Sequence, residues 1–352
     1  MRKHKQVQLR KKVAPFETSH TKSSIRQLIN TLLPFILLWF LAYKSLTVSY
    51  WLTILVAIVA AGFVIRIFII FHDCTHHSFF KSSQANRIVG TLTGIITLFP
   101  YEKWKRNHAI HHATSGNLDK LGTGDVWVMT VDEYISASVW KRLTYRLYRN
   151  PFVMFGLGPF FLFLISNRIN RKEAKRKERL NTYLTNVSII TICGWMISVI
   201  GWQAFLMIQI PILFVSGSLG IWLFYVQHQF EDSYFEDEKD WDFVKAAIDG
   251  SSYFKLPRVL QWITGNIGYH HVHHFSPKIP NYYLEEVHES IPPLQQATTI
   301  TPASSLKSIH FRLYDAKNRT FVSFKEAKER MKQAKAGVQM NHRRTEQAFQ
   351  EK

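Results

Sequence analysis

The chain has 352 residues, 47% of them apolar and 14% aromatic, and 44 Lys and Arg against 25 Asp and Glu give a formal charge of +19. Its apolar residues fall into long blocks separated by strongly basic segments, so a mean hydropathy near zero conceals two populations and argues for a membrane protein rather than a soluble domain. Two cysteines, Cys74 and Cys193, with no CxxC pattern, make a disulfide framework untenable.

Residues 1–27 carry Arg2, Lys3, Lys5, Arg10, Lys11, Lys12, Lys22 and Arg26 against the single acid Glu17, which reads as a basic cytoplasmic tail by the positive-inside rule. No small-residue cleavage site follows the first apolar block, so that block reads as an uncleaved anchor. Apolar blocks at 28–43 and 48–71, joined through Lys44, form one helical hairpin. Blocks at 183–200 and 204–227, turning at Gly201, Trp202 and Gln203, form a second. Each is near the length that about 30 Å of hydrocarbon demands. The stretches 87–99 and 151–166 are shorter, and the second has basic flanks at both ends, Lys141 to Arg149 and Arg168 to Arg179. Both flanks belong in the cytoplasm, so these stretches are read as interfacial. The run from Arg168 to Arg179 suits anionic headgroups, or else the docking of an acidic electron carrier. Residues 291–352 are polar and mixed in charge, and read as a cytoplasmic, partly disordered region. The basic residues thus segregate by topology, and no nucleic-acid partner is expected.

Eleven of the 16 histidines lie just outside the apolar blocks: His72, His76 and His77; His108, His111 and His112; His228; and His270, His271, His273 and His274. Positions i, i+3 and i+4 share one helix face, so His108, His111 and His112 project together, as do His270, His273 and His274, while His271 points elsewhere. One HxxHH triple would arise by chance on the order of 0.03 times per chain of this histidine content, so two triples and a third box are not coincidence. With two hairpins, every box falls on the same, cytoplasmic side, and the boxes can converge. Imidazole suits Zn, Cu, Fe and Ni, but a tetrahedral zinc takes at most four protein ligands. Nine or ten histidines suit two metals with positions open to oxygen, a di-iron centre. Asp73, Gln227 and Asn266 are placed to hydrogen-bond the ligands from behind, with Asn266, one turn before His270, placed best. Trp104, among Lys103, Lys105 and Arg106, reads as an interfacial aromatic or a headgroup anchor.

The segments HDCTHHSFF, HAIHHATSGNLD and HHVHHFSPKIPNYYL, with their spacing between apolar blocks, resemble the membrane fatty-acid desaturase family over most of residues 30–290, particularly bacterial acyl-lipid desaturases of the Δ5 type. The resemblance implies an all-α integral membrane fold of four or more spans in two hairpins, with interfacial helices over 87–99 and 151–166 and a cytoplasmic helical cap, the desaturase domain occupying 28–290. It implies two Fe ions, O2 as co-substrate, acyl chains of membrane phospholipids as substrate, and a bacterial cell membrane with both termini and the site cytoplasmic. Its ligands map to His72, His76, His108, His111, His112, His270, His273 and His274, with His228 as an extra ligand and His77 as an alternative in the first box. Electrons would come from ferredoxin or flavodoxin rather than cytochrome b5, since no HPGG motif occurs. A membrane hydroxylase of alkyl or carotenoid substrates is the nearest competitor, and a metal transporter or sensor the non-enzymatic one. The latter would place ionisable ligands inside its spans. A metalloprotease HExxH motif is absent, and of the two ExxH pairs a ferritin-like site would use, Glu17–His20 and Glu285–His288, the first lies in the polar tail, so coincidence accounts for them better.

Overall fold

A computed structural model describes residues 2–122 and 124–329. Helix α1 (Arg2–Val13) leads into a hairpin of α2 (Thr21–Ser45) and α3 (Tyr50–Thr75), followed by α4 (Ser83–Ile96) and α5 (Tyr101–Thr114). Next come α6 (Val131–Ser136), α7 (Val139–Tyr148), a π-helical turn over Phe152–Leu157 and α8 (Gly158–Leu164). The second hairpin is α9 (Arg176–Ile200) and α10 (Trp202–His228). Beyond it lie α11 (Phe243–Ile248), β1 (Tyr253–Phe254), α12 (Arg258–Ile263), α13 (His270–Phe275), α14 (Leu284–Ser290) and strands β2 (Thr299–Ile300), β3 (Leu313–Asp315) and β4 (Thr320–Val322). Strands β1 and β2 pair in parallel, and β3 and β4 pair antiparallel.

Helices α2, α3, α9 and α10 are each long and apolar enough to cross a membrane. Both α2 and α9 begin before their apolar blocks. In α2 the extra turns persist because their polar groups have partners in the cap: Gln27 Nε2 donates to Asn281 Oδ1 at 2.9 Å and the Ser24 hydroxyl to the Phe79 carbonyl. Small residues let the spans approach closely, with Ala42, Ala57 and Ala60 packed among Val64, Ile208 and Ile212. The turn between α9 and α10 is narrower than the three residues read from the sequence, because Gly201 alone, at φ +82°, reverses the chain. Within α3, the buried Arg66 donates Nε to Thr31 Oγ1 at 3.0 Å and lies 3.9 Å over the Trp262 ring, pinning the first hairpin to α12.

The two shorter apolar stretches behave differently. Helix α4 packs on α3 and α9, leaving Ile88 and Leu92 exposed. The 151–166 stretch, with α7, forms a segment bent by 62°. Its Pro159 and Phe163 seat against Gly217 of α10. On α7 itself Val139, Trp140, Leu143 and Leu147 are exposed beside Lys141 and Arg142, the pattern of a helix lying in a membrane interface.

The two ends of the chain hold more structure than their composition announced. From the basic tail, Leu9 and Val13 pack with Ile267, Val272 and Phe275 of the cap. Leu313 and Val322 of the C-terminal region are buried with Met129, Val131, Tyr134 and Tyr145. Strands of three residues are too short to display a period, so β3 and β4 left no signal in a region read as polar and partly disordered. Residues 330–352 of the region expected to be partly disordered lie outside the described residues. The basic run is partly structural: Arg168 Nη1 donates to Asn186 Oδ1 at 2.9 Å and Arg171 Nη2 to Asn107 Oδ1 at 2.6 Å, while Lys172, Lys175 and Arg176 stay exposed.

Candidate metal centre

Four elements deliver the histidines. His72 sits in the last turn of α3 and His228 is the last residue of α10, so the two spanning helices end at the same place and the two hairpins share one orientation. Helix α5 presents His108, His111 and His112 from one face, and α13, only six residues long, presents His270, His273 and His274. The imidazoles form two adjoining groups, His72, His76, His108, His112 and His273 in one and His111, His228, His270 and His274 in the other, with ligand atoms in each group within 4.8 Å of one another. His112 and His274 stack at 4.2 Å across the boundary.

For eight of the nine the nitrogen that converges is Nε2. His108 Nε2 lies 2.9 Å from His72 Nε2 and 3.0 Å from His112 Nε2, which is 3.0 Å from His273 Nε2. In the second group His228 Nε2 lies 3.2 Å from His111 Nε2 and 2.9 Å from His270 Nε2, and His274 Nε2 lies 3.3 Å from His111 Nε2. Burial, and then the neighbouring imidazoles, hold His76, His108, His112, His270, His273 and His274 well below the usual histidine range. Neutral imidazoles have one N–H each, and a ring of them with all Nε2 atoms inward cannot satisfy itself by hydrogen bonds. A cation at the centre of each group resolves the crowding of lone pairs, so the donor set fits two metal ions.

Three of the outward nitrogens agree with that reading, while Nδ1 of His112, His270 and His273 has no partner among the described residues. A metal-bound imidazole directs its other N–H at a carboxylate or carbonyl. His72 Nδ1 lies 3.2 Å from Asp73 Oδ1, His111 Nδ1 2.5 Å from Asp125 Oδ1, and His228 Nδ1 3.2 Å from the Gly250 carbonyl. Asp73 thus lies beside a histidine of the first group, whereas Gln227 and Asn266 bond to backbone carbonyls elsewhere. Gln227 Nε2 donates to the Ile267 carbonyl at 2.8 Å, bracing the loop ahead of His270, and Asn266 Nδ2 donates to the Asn281 carbonyl at 3.3 Å. Asn266, at φ +57°, lies in a turn outside α13, so the helical spacing that placed it under His270 does not apply.

His77 is not brought to either group. It follows the end of α3 with φ +57°, which swings the ring to the surface, where Nε2 meets Lys105 Nζ at 2.5 Å. His271 faces away and pairs through Nε2 with His288 Nδ1 at 3.0 Å. Trp104 stacks on His108 at 4.1 Å and packs on Phe68 and Phe71, and Lys103 donates to the Ser166 and Ile169 carbonyls, so neither is a free headgroup anchor. Asp125 escaped the sequence reading because it is 14 residues from His111, in a loop with no helical register to reveal it.

The fatty acid desaturase family model matches residues 49–301, which hold every histidine of both groups. The chain belongs to the fatty acid desaturase family. This desaturase is 60% identical over 325 residues to a fatty acid desaturase of Bacillus subtilis, covering 92% of each chain. It is 27% identical to the sn-1 oleoyl-lipid 12-desaturase of Synechocystis, over 74% of this chain and 76% of that one. To the sn-1 acyl-lipid omega-3 desaturase (ferredoxin) of the same organism it is 28% identical, over 65% and 64%. It is accordingly a membrane fatty acid desaturase, an oxidoreductase, with buried histidine clusters able to hold metal.

Proposed function

We propose that the desaturase introduces a cis double bond, at the Δ5 position, into acyl chains of membrane phospholipids, using two irons held by the nine clustered histidines. The convergence of nine clustered imidazoles into a group of five and a group of four carries this reading. Imidazole donors without thiolate suit iron, and two positions of high coordination number suit O2 chemistry better than tetrahedral zinc. When bound, the iron pair supplies the activation of O2, which with two electrons and two protons takes two hydrogens from neighbouring methylenes and leaves as two waters. Ferredoxin or flavodoxin supplies the electrons; the Synechocystis relative named for ferredoxin supports the first. The basic N-terminus and the segregation of Lys and Arg support a cytoplasmic side for both termini and the site.

The protein's own groups orient the chemistry. The carboxylate of Asp73 and the Gly250 carbonyl hold His72 and His228 with Nε2 inward. Trp104 stacks on His108 and packs with Phe68, Phe71 and Phe99, an apolar cluster that fixes the His108 ring from behind. The test is expression in a host lacking unsaturated lipids, with gas chromatography and mass spectrometry of derivatised fatty acids. Loss of two hydrogens at the Δ5 position is expected. A product that gains oxygen would replace this reading with a hydroxylase, and a double bond elsewhere would overturn the regiochemistry.

A further inference from the structure

Each histidine group contains one imidazole backed by a carboxylate, and the two carboxylates are used differently. Asp73 Oδ2 accepts from the Asn281 backbone N–H at 2.7 Å and from Asn281 Nδ2 at 2.8 Å, while its Oδ1 sits 3.2 Å from His72 Nδ1. Its charge is shared among three donors. Asp125 Oδ1 approaches His111 Nδ1 to 2.5 Å, and its buried Oδ2 has no partner among the described residues. Its charge is directed at the imidazole alone.

The backbone is built to put Asp125 there. At Gly124 φ is +83°, and a Cβ at that position would lie 2.8 Å from the Asn107 carbonyl and 3.0 Å from His111 Cβ, so the loop presses directly on α5 where only glycine fits. Downstream the segment is pinned to α7, with the Trp127 N–H donating to the Tyr148 hydroxyl at 3.2 Å and the Met129 N–H to the Tyr145 hydroxyl at 3.1 Å. Asp125 and His228 line a narrow crevice with Ser115, Phe224 and Gln229.

We propose that Asp125 is a positioning residue that makes the four-histidine position distinct from the five-histidine one, by fixing the Nε2 lone pair of His111 inward and raising its donor strength. A carboxylate on Nδ1–H selects the tautomer and increases the basicity of the coordinating nitrogen, and removal of such a partner typically weakens metal binding by about 10- to 100-fold. The undivided charge of Asp125 gives this effect more strongly than the shared charge of Asp73. The inference rests on the reading of His111 as a metal ligand.

The test compares D125N, D125E and H111A in the full-length protein, loaded with 57Fe and challenged with a chelator, with iron content and Mössbauer spectra recorded beside thermal unfolding. D125N should lose one of two irons roughly 10- to 100-fold faster than wild type, with one spectral component altered and the other unchanged, while D125E retains its iron. Wild-type retention and an unaltered spectrum in D125N overturn the proposal, as does equal loss in D125N and D125E, which would mark a purely spatial role. Should D125N fail to fold, D125S replaces it, with the same outcomes. H111A separates the two readings: if it holds both irons normally, the ligand assignment itself fails, whereas iron loss in H111A with none in D125N sinks only the role of Asp125.

Discussion

The spanning helices and the histidine cap bury opposite kinds of surface. In the spans, small apolar residues such as Ala57, Ala60 and Ala61 are sealed inside while Leu33, Ile36, Phe40, Ile190 and Trp195 face outward. In the cap the sealed residues are His111, His273, His274 and Asp73, with shorter elements and charged exteriors around them. Lipid compensates the first arrangement; water cannot compensate the second, because the imidazoles are shut away from it. Burial of polar groups on this scale needs a partner, and that contrast locates the candidate metal centre independently of any sequence motif.

The contrast can be broken most severely by removing a ligand. His273→Ala should bring desaturation below detection by gas chromatography and lower bound iron, since His273 Nε2 approaches His112 Nε2 at 3.0 Å within the five-histidine group. Full activity in this variant would remove the five-histidine position.

Acid should separate cap from spans next. The cap histidines are held neutral below their ordinary value of 6.5, so at low pH the unfolded chain binds more protons than the folded one. Their contribution is fully present above about pH 6.5 and is lost as pH falls below it, by up to about 1.4 kcal/mol per pH unit for each histidine that titrates on unfolding. Thermal unfolding of metal-free protein in detergent, followed from pH 7.5 to pH 5, should show a falling midpoint; a flat profile would mean that the imidazoles are not sealed from water. Asp73→Asn should then cost about 10- to 100-fold in metal affinity, measured by competition with a chelator.

The spans are probed by crowding rather than by charge. At Gly217 an added Cβ would lie 2.6 Å from Pro159 Cβ and 2.8 Å from the Phe163 ring, so Gly217→Leu should destabilise the contact between α10 and α8 by about 1–3 kcal/mol. Smallest of all, Lys120→Ala removes an exposed ion pair with Glu238, and thermal unfolding should register no resolvable shift in midpoint.

How much could be read in advance follows the same division. Block length and charge placement revealed the four candidate spans, because lipid acts on composition and long apolar blocks leave a signature that no local detail erases. The helical period brought His108, His111 and His112 onto one face of α5, as it did the third box on α13. What it missed depended on turns and on distant chain segments: the positive φ that carries His77 outward, the turn that removes Asn266 from the α13 register, and the loop that returns Asp125 to His111. Such contacts are set by tertiary geometry, to which spacing along one helix is blind.

Metal analysis of the purified, catalytically competent protein tests the central claim most directly. Two iron atoms per chain are expected, both lost together with desaturase activity on chelation and both restored with it on adding ferrous iron. A single metal per chain, or undiminished activity with zinc alone, would contradict the assignment of the nine histidines to a pair of irons.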